Sequence, residues 1–597
     1  MNIALISREF PPFYGGGIGT YTEQAAVALA EAGHRVVVVT MSHDGCESRV
    51  AHAADSRILV VRLPLIVGDD WSCPAPSIDG PITRACFSHL GPWSVFSKQV
   101  ADALPGLVRE HAIDVIEGPE CGAILWWTLN QRRLGAEVVR SVDGASPLYV
   151  VQLHSPNAWI DEQNRESPPN RAAFELRRAE RESAMWADLV IAPSVDIATW
   201  AGERWGIGPV ENVPYPLGSI GVRSERRLDG GGAIVGATGG LRCLMIGRAE
   251  PRKGVDVLVR AIAIACRRGI DVSAEIAGQD TRDWRTGAWF AQRCMSTMLP
   301  AEMRERVSHL GKLDRARLAD ARQRADVCVA PGAVDNFPYA VVESMARGLP
   351  VIAPSVGGIA ELVREGIEGH IFVPHDPGSL ADAFSRHAVL SHDQRARMGE
   401  ASAARVAWFC GNGRAVSVRE RVFGEAIRRG VCEGERSVRD VRHVGGDASL
   451  LAGPVRRGVV DFAIGWERAR DGMVVPFGTP TLEALASMPS IRGPLAVRAD
   501  LIERYREETG NEDPASDEMA CWLVQHGARG AVDPSVVTEV GPCGEAEGED
   551  RPILIDERAF RSVVPLRMAR RNHPLPWVLA PARAGVTGLP MRSGRSG

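Results

Sequence analysis

Apolar, β-branched runs alternate with amphipathic stretches through the part of the chain that ends near Gly430. The first run, Ile3 to Ile6, predicts a buried strand, and apolar residues at helical spacing from Tyr21 to Leu29 predict the helix that follows. Gly33 ends this helix, and Arg35 to Thr40 predicts the next strand. This strand, helix, strand order is typical of a parallel sheet covered by helices.

The same alternation predicts more strands in this half of the chain, at Arg57 to Leu63, Asp114 to Ile116, Glu137 to Ser141 and Leu189 to Ala192. Between Leu217 and Gly240 the chain becomes rich in glycine and arginine, which indicates a linker or an exposed loop. The pattern then restarts, with strands predicted at Leu241 to Ile246, Val272 to Ala277, Val307 to Leu310, Asp326 to Ala330 and Pro350 to Ala353, and helices at Val255 to Arg268 and Tyr339 to Arg347.

Length and pattern together predict two domains in this part of the chain. The chain has 597 residues, and a single hydrophobic core normally stops growing at about 250 to 300 residues. We therefore predict an α/β protein with two doubly wound domains, residues 1–216 and 241–400, that face each other across a cleft. Residues 431–550 would form an accessory extension, and residues 551–597 a poorly ordered tail rich in proline, arginine and glycine.

The composition of the chain limits the kinds of molecule that it is expected to bind. With 45% hydrophobic residues, 24% charged residues and a formal net charge of -5, the chain has the composition of a soluble globular protein, and its net acidity argues against nucleic acid as a partner. The twelve cysteines include no C-x-x-C pair and no cluster at zinc spacing, so we expect a reducing, cytoplasmic location. The sequence shows no secretory signal and no apolar run near the length of a spanning helix, so any membrane contact would be peripheral.

Two glycine-containing loops each follow the first strand of a predicted domain. The first contains Gly16 and Gly17 at the start of a helix, where backbone amides and the helix dipole suit a phosphate, although simple turn geometry explains the glycines as well. The second contains Arg248 and Lys253, which could neutralise a diphosphate or form a solvated basic turn. Lys253 is one of only three lysines among the 69 Lys and Arg residues, which favours a specific role.

A third candidate is the acidic pair Asp335 and Glu343. Asp335 precedes a predicted helix and Glu343 lies inside it, so the two carboxylates could bind two ends of one ligand. Carboxylates accept hydrogen bonds from vicinal hydroxyls, as sugars and ribose present. The structural alternatives are a helix cap for Asp335 and an exposed helical charge for Glu343.

Taken together, these segments resemble glycosyltransferase family 4, whose members have the GT-B fold of two Rossmann-like domains. The resemblance covers about residues 1–425. Its most specific part is the run from Asp335 to Glu361, D-N-F-P-Y-A-V-V-E-S-M-A-R-G-L-P-V-I-A-P-S-V-G-G-I-A-E, which is similar to the E-x7-E region of the family. The segments G-G-I-G-T near the start and G-R-A-E-P-R-K-G at the restart match in the same order along the chain.

The resemblance implies how a nucleotide-sugar donor would be held. Gly16 and Gly17 would face its diphosphate, Arg248 and Lys253 would bind the phosphates, and Glu343 would hold the ribose hydroxyls. The family usually has glutamate where this chain has Asp335, so the side chain is one methylene shorter and the donor sugar or its tilt can differ.

The resemblance also implies which residues surround the transferred sugar. Asp335 and the backbone amides of Asn336 and Phe337 would hold the sugar, and His154 would lie beside it near the reacting centre. His154, Arg248, Lys253 and Asp335 are therefore the candidate catalytic residues. Family members retain the anomeric configuration and need no metal, so we expect no cofactor. For retention we expect a front-face displacement in which the leaving diphosphate accepts the proton of the acceptor.

The resemblance leaves the acceptor open among a glycan, a lipid-linked molecule and a small molecule, and acceptor recognition is expected on the first domain. Five tryptophans there could stack on sugars or pack in the core: Trp71, Trp93, Trp126, Trp127 and Trp159. Residues 401–430 resemble the helical segment that crosses back to the first domain, and part of the extension resembles the acceptor side of family 2 glycosyltransferases. Two rival functions remain, a catalytically silent nucleotide-sugar-binding protein and a GT-B nucleotide-sugar epimerase.

Overall fold

The computed structural model describes most of the first 430 residues and short elements beyond them. The described residues are 1–12, 16–43, 46–66, 91–133, 146–164, 171–220, 240–282, 287–429, 441–444, 462–468, 474–475, 495–509, 530–539, 555–556, 579–580 and the single positions Thr83, Phe87, Met519 and Leu523. The predicted strand from Glu137 to Ser141 and most of the predicted linker lie outside this part of the chain.

In the described part of the chain, eight strands form the first sheet, in the order β3-β4-β2-β1-β5-β6-β7-β8. The strands are β1 Asn2–Ile6, β2 Arg35–Met41, β3 Arg49–His52, β4 Asp55–Leu63, β5 Val115–Pro119, β6 Leu148–Gln152, β7 Leu189–Ala192 and β8 Val210–Asn212. The antiparallel pair β3 and β4 lies at one edge, and the other neighbours are parallel. Every residue of β5 and β6 is buried, as expected for central strands covered by helices on both faces.

Six described helices accompany this sheet. They are α1 Gly17–Glu31, α2 Pro92–His111, α3 Trp126–Arg133, α4 Asn157–Asn164, α5 Arg171–Trp186 and α6 Val195–Trp205. In α1, most residues from Gly19 to Ala30 are buried, because small alanines let this helix pack closely between the sheet and other elements.

The second sheet has six described strands, all parallel, in the order β11-β10-β9-β12-β13-β14. They are β9 Leu241–Ile246, β10 Val272–Ala277, β11 Val307–Gly311, β12 Val327–Val329, β13 Val351–Pro354 and β14 Gly369–Phe372. Its helices are α7 Val255–Arg267, α8 Phe290–Met298, α9 Arg315–Arg324, α10 Tyr339–Ala346 and α11 Pro377–Ala388. The two doubly wound sheets confirm the predicted α/β fold class.

Two further helices, α12 His392–Cys410 and α13 Asn412–Arg429, follow the second sheet. The last of them lies against the first domain: Glu420 is 2.8 Å from His34, and the buried side chain of Arg419 reaches residues of the first sheet. The chain therefore returns to the domain in which it began. None of the helices described in the chain is both long and apolar enough to cross a membrane.

Beyond Gly430 the described elements are a mostly antiparallel five-stranded sheet, one helix and a separate pair of strands. They are β15 Val441–Val444, β16 Phe462–Arg468, β17 Val474–Val475, β18 Leu495–Arg498, α14 Ala499–Thr509 and β19 Gly530–Glu539, followed by the pair β20 Ile555–Asp556 and β21 Leu579–Ala580. Five buried residues of this region join the hydrophobic cluster of the first domain: Val497, Ile502, Tyr505, Met519 and Leu523. The expectation of a poorly ordered tail at 551–597 concerns residues that lie, apart from β20 and β21, outside the described part.

Candidate active site

The strand order of each sheet reverses near its centre, between β1 and β5 in the first sheet and between β9 and β12 in the second. Open α/β sheets bind ligands beyond the carboxyl ends of their strands at this point. Glycines make the loops there compact: Gly254 has φ +73°, and a Cβ at this position would lie 2.1 Å from the carbonyl oxygen of Pro331. The loops after β9 and β12 therefore touch, which brings two of the three candidate segments together.

The first segment is the glycine loop before α1. Around Gly16 and Gly17, an added Cβ would meet none of the described atoms within 4 Å, and both residues are exposed. At Gly19, by contrast, a Cβ would lie 3.1 Å from Cβ of Glu9. Packing thus explains Gly19, whereas no packing contact within the described part explains Gly16 and Gly17.

The second and third segments meet through an ion pair. The Nζ atom of Lys253 donates to Oδ2 of Asp335 at 2.5 Å, and Nη1 of Arg252 donates to Oδ1 at 3.4 Å. Arg252 also donates to Glu250 at 2.6 Å and is only 5% exposed. Two candidate catalytic residues, from loops after different strands, are therefore in direct contact.

Burial and the charge of the partner shift the pKa of each residue of this pair in opposite directions. Burial tends to raise the pKa of Asp335, but the positive charges of Lys253 and Arg252 outweigh it, and the pKa lies below its ordinary value. Burial lowers the pKa of Lys253, against the opposing effect of Asp335. Asp335 is therefore an ionised carboxylate at neutral pH.

Arg248 stands apart from this pair. Its side chain is 58% exposed, and its guanidinium lies 3.6 Å from Glu250. The side chain is thus largely open to solvent, and the structure does not place it against Lys253. Of the two predicted phosphate ligands, only Lys253 is already held inside the site.

Glu343 lies on α10, where the Nη2 atom of Arg322 donates to its Oε2 atom at 2.5 Å. Arg322 also donates to the hydroxyl of Ser344, so it is fixed at two points. The carboxylate of Glu343 is 20% exposed, which leaves part of it accessible to a ligand. Arg322 was not predicted from the sequence, because it lies on α9, which contains none of the three motifs.

Asn336 and Phe337 use their side chains to join the two domains. Ser194 of the first domain donates to Oδ1 of Asn336 at 2.6 Å, and Nδ2 of Asn336 donates to the carbonyl oxygen of His154. The Phe337 ring is buried and lies 5.4 Å from the ring of Tyr215, centroid to centroid. The sequence had suggested roles for the backbone amides of Asn336 and Phe337, and their side chains prove to be interdomain contacts.

His154 follows β6, which the sequence analysis did not predict as a strand. Its Nδ1 atom lies 2.5 Å from the hydroxyl of Tyr215, whereas its Nε2 atom is buried and has no partner among the described residues. Burial, followed by the charge of Arg419, lowers the pKa of His154 to about 3. His154 is therefore neutral at physiological pH and lies where the two domains meet.

A buried carboxyl group that the sequence analysis missed holds the His154 loop in place. Glu120, just after β5, accepts from the backbone amides of His154 at 2.8 Å and Ser155 at 2.7 Å. Burial and the nearby charge of Glu180 raise the pKa of Glu120 to about 8. Its position beyond the carboxyl end of a central strand was the available signal.

Of the five tryptophans that could stack on sugars or pack in the core, three pack in the core. Trp126, Trp127 and Trp159 are at most 2% exposed and belong to the core of the first domain. Trp93 is half-buried under the guanidinium of Arg8, 4.3 Å from the ring centroid. Trp71 lies outside the described residues. Core packing therefore accounts for the three buried rings, which offer no face for a sugar.

Comparisons with known proteins cover the two-domain part of the chain. Residues 16–218 match the family described as "Glycosyl transferase 4-like domain", and residues 240–388 match "Glycosyl transferases group 1". A glycogen synthase of Mycobacterium tuberculosis (strain CDC 1551 / Oshkosh) is 25% identical over 419 residues, which are 68% of this chain and 89% of that protein. A D-inositol 3-phosphate glycosyltransferase of Nocardia farcinica is 28% identical over 415 residues, 66% of this chain and 81% of that protein.

A solved structure supports the fold independently. The sucrose-phosphate synthase of Thermosynechococcus elongatus superposes with a TM-score of 0.52 and 20% identity, and the match covers 72% of this chain and 99% of that one. The two adjacent family matches divide the chain as the two sheets do. The chain is thus a glycosyltransferase that belongs to family 4, with the two-domain GT-B fold of that family.

Proposed function

We propose that this glycosyltransferase takes a sugar from a nucleotide-sugar donor, retains its anomeric configuration and needs no metal ion. The observation that carries the proposal is the contact between Lys253 and Asp335 at the point where the strand order reverses. A partly buried ammonium suits a diphosphate, as do the exposed glycines at the start of α1, and the carboxylate that pairs with this ammonium suits the hydroxyls of the attached sugar.

The proposed reaction is a front-face displacement. The acceptor hydroxyl oxygen forms a bond to the anomeric carbon on the face from which the diphosphate departs, while the bond between that carbon and the phosphate oxygen breaks. The electron pair stays on the diphosphate, which accepts the proton of the acceptor hydroxyl. Lys253, Arg248 and the amides of Gly16 and Gly17 stabilise the departing charge, so a protein nucleophile is not required.

The remaining candidates would orient the donor. Asp335 and the amides of Asn336 and Phe337 would hold the sugar, Glu343 the ribose hydroxyls, and His154 an oxygen near the reacting centre. On this proposal Arg322 keeps Glu343 in position while the exposed part of its carboxylate binds ribose.

The acceptor is proposed to be a glycan, a lipid-linked molecule or a small molecule. The names of the two relatives point to a glucan and to an inositol phosphate as acceptors of those enzymes. The proposal places the enzyme in the cytoplasm, with any membrane contact peripheral and at the inner face.

Thermal unfolding with a panel of nucleotide sugars tests the donor. A true donor at about a hundred times its Kd stabilises the native state by about 2.7 kcal/mol and raises the Tm, whereas free sugars do not. If every nucleotide sugar leaves the Tm unchanged, the donor proposal is wrong.

Incubating the identified donor without acceptor then separates the rival functions. A transferase releases nucleotide slowly by hydrolysis, an epimerase produces a new sugar epimer, and a silent binding protein leaves the donor intact. With acceptor present, proton NMR of the product reports the anomeric configuration, and inversion would contradict the proposed displacement. Turnover that collapses in EDTA and returns with a divalent metal would contradict metal independence.

A further inference from the structure

The ring of His154 is fixed on several sides by aromatic residues. Its centroid lies 4.7 Å from that of Tyr21 and 5.4 Å from that of Tyr215, and these two tyrosines are 4.7 Å apart. The residue is only 7% exposed, and its backbone is tied to Glu120 on one side and Asn336 on the other. The imidazole therefore has little freedom to rotate, and the positions of its two nitrogens are set by packing.

The hydrogen bond between Tyr215 and His154 can be formed in two ways. If the hydroxyl donates to Nδ1, the neutral ring carries its proton on Nε2, and only that N–H is unsatisfied. If Nδ1 donates to the hydroxyl oxygen, both the tyrosine proton and the Nε2 lone pair lack partners among the described residues. Because a buried unsatisfied group is costly, the first arrangement is favoured.

Burial and one nearby positive charge favour the neutral form of the ring. The ring is surrounded by Tyr21 of α1, Tyr215 and the charge of Arg419 of α13, and the Glu120 carboxyl after β5 accepts from the backbone amide of the same residue. Burial keeps the Tyr215 phenol protonated by raising its pKa, while burial and Arg419 lower the pKa of His154. The neutral ring therefore carries one proton, on either Nδ1 or Nε2. The hydrogen bond to Tyr215 determines which of these two tautomers is favoured.

We propose that Tyr215 is a positioning residue that holds His154 in the neutral tautomer with its proton on Nε2. His154 then offers a substrate oxygen a hydrogen-bond donor and cannot act as a base there. This deepens the proposed function, on which it rests for the identity of that oxygen, and agrees with a reaction in which the leaving diphosphate takes the proton. The tautomer itself is a property of the free protein.

NMR of the free, full-length protein with isotope-labelled histidine tests the proposal without any substrate. The His154 signal, assigned by its loss in the variant His154→Gln, should show the Nε2–H tautomer and should not titrate between pH 6 and 8.5. In Tyr215→Phe the fixed tautomer should give way to a mixture, whereas Tyr149→Phe, which removes another buried hydroxyl of the same domain, should leave the signal unchanged. An Nδ1–H tautomer in the wild type overturns the proposal, even if Tyr215→Phe fails to fold, and so does an unaltered tautomer in that variant.

Kinetics with the identified donor supplies the second readout. Tyr215→Phe should lower kcat/KM about tenfold, because it loses one orienting hydrogen bond, and Tyr149→Phe should stay within about twofold. Equal values of kcat/KM for Tyr215→Phe and Tyr149→Phe would overturn the proposal that Tyr215 positions His154. If the wild type transfers no sugar but shows the Nε2–H tautomer, the proposed function fails and the tautomer assignment stands.

Discussion

Two charged pairs of this protein join side chains from different elements. Lys253 after β9 lies against Asp335 after β12, and Arg419 of α13 lies against Glu117 of β5. The two opposite charges of each pair are in contact. Removing one partner therefore leaves an uncompensated buried charge, which typically lowers the free energy of unfolding by about 3 to 5 kcal/mol. A substitution in one domain can therefore affect a side chain that is distant in sequence.

Glu120 should make stability depend on pH. Its pKa of about 8 in the folded protein exceeds the ordinary value of 4.5, so the native state keeps a proton that the unfolded state releases within that window. Stability is therefore full below the unfolded pKa and falls as pH rises, by up to about 1.4 kcal/mol per pH unit from this group. In Glu120→Gln this contribution disappears, and the unfolding free energy should fall less steeply between pH 5 and 8.

Urea denaturation at pH 5, 6, 7 and 8 measures the difference. Glu180 contributes a similar slope to both proteins, because its own raised pKa of about 7 is present in each. The matched control is Glu110→Gln, since Glu110 is exposed and its pKa is lowered by Arg49. Parallel curves for the wild type and Glu120→Gln would show that Glu120 ionises normally in the folded protein.

At the scale of elements, helix α13 ties the end of the two-domain unit to its beginning. Nε of Arg419 donates to Glu117 at 3.1 Å, and Nη2 donates to the hydroxyl of Tyr21 on α1. The guanidinium is 1% exposed, so this helix is anchored by a buried charge and by its apolar face. The same anchor lies beside the aromatic cluster around His154.

Replacing Arg419 should therefore destabilise the protein far more than replacing an exposed arginine of the same helix. Arg419→Met leaves Glu117 buried without its charged partner and should cost about 3 to 5 kcal/mol of unfolding free energy. Arg421→Met removes only an exposed pair with Glu425 and should cost less than about 1 kcal/mol. Chemical denaturation measures the unfolding free energy of both variants. Comparable losses of unfolding free energy would mean that the buried pair does not anchor α13 to the first domain.

The pattern of apolar and polar residues predicts strands and helices better than it predicts contacts between side chains. The strand and helix after Leu241 were predicted nearly to the residue, because β-branched runs and helical periodicity are local signals. Strand β6 was missed, although its apolar run resembles those of the buried strands that were predicted. Arg419 could not be distinguished from Arg421, because only the packing of α13 against the first sheet decides which arginine is buried.

The candidate site shows the same limit. Lys253 and Asp335 were found as separate motifs, but nothing in their spacing predicted that they pair. Asn336 was expected to act through its backbone, and its side chain proves to bond Ser194, 142 positions away along the chain. Such contacts depend on how the domains face each other, which a single sequence does not specify.

For the whole molecule, the two domains are joined at the rim of the cleft. Asn336 bonds Ser194, and the carboxylate of Glu361 accepts from the backbone amides of Val195 at 2.8 Å and Asp196 at 3.2 Å, at the start of α6. A negative charge at a helix N-terminus is stabilising. These contacts hold the domains together where the donor is proposed to bind.

We expect donor binding to compact the protein, because both domains contribute to one phosphate site. Small-angle scattering should show a smaller radius of gyration with saturating donor. Asn336→Ala should have a larger radius without donor than the wild type, and the exposed control Asn212→Ala should match the wild type. Equal radii for all three proteins, with and without donor, would contradict a closing cleft.

Lys253 is the residue on which the proposed reaction depends most, because it would stabilise the departing diphosphate. Steady-state turnover and donor affinity of Lys253→Ala, compared with the surface variant Lys98→Ala, test this directly. We predict that kcat of Lys253→Ala falls about 100- to 1000-fold while donor affinity falls much less, and that Lys98→Ala behaves as the wild type. Unchanged turnover in Lys253→Ala, measured with the true donor and acceptor, would remove Lys253 from the mechanism and contradict the central claim.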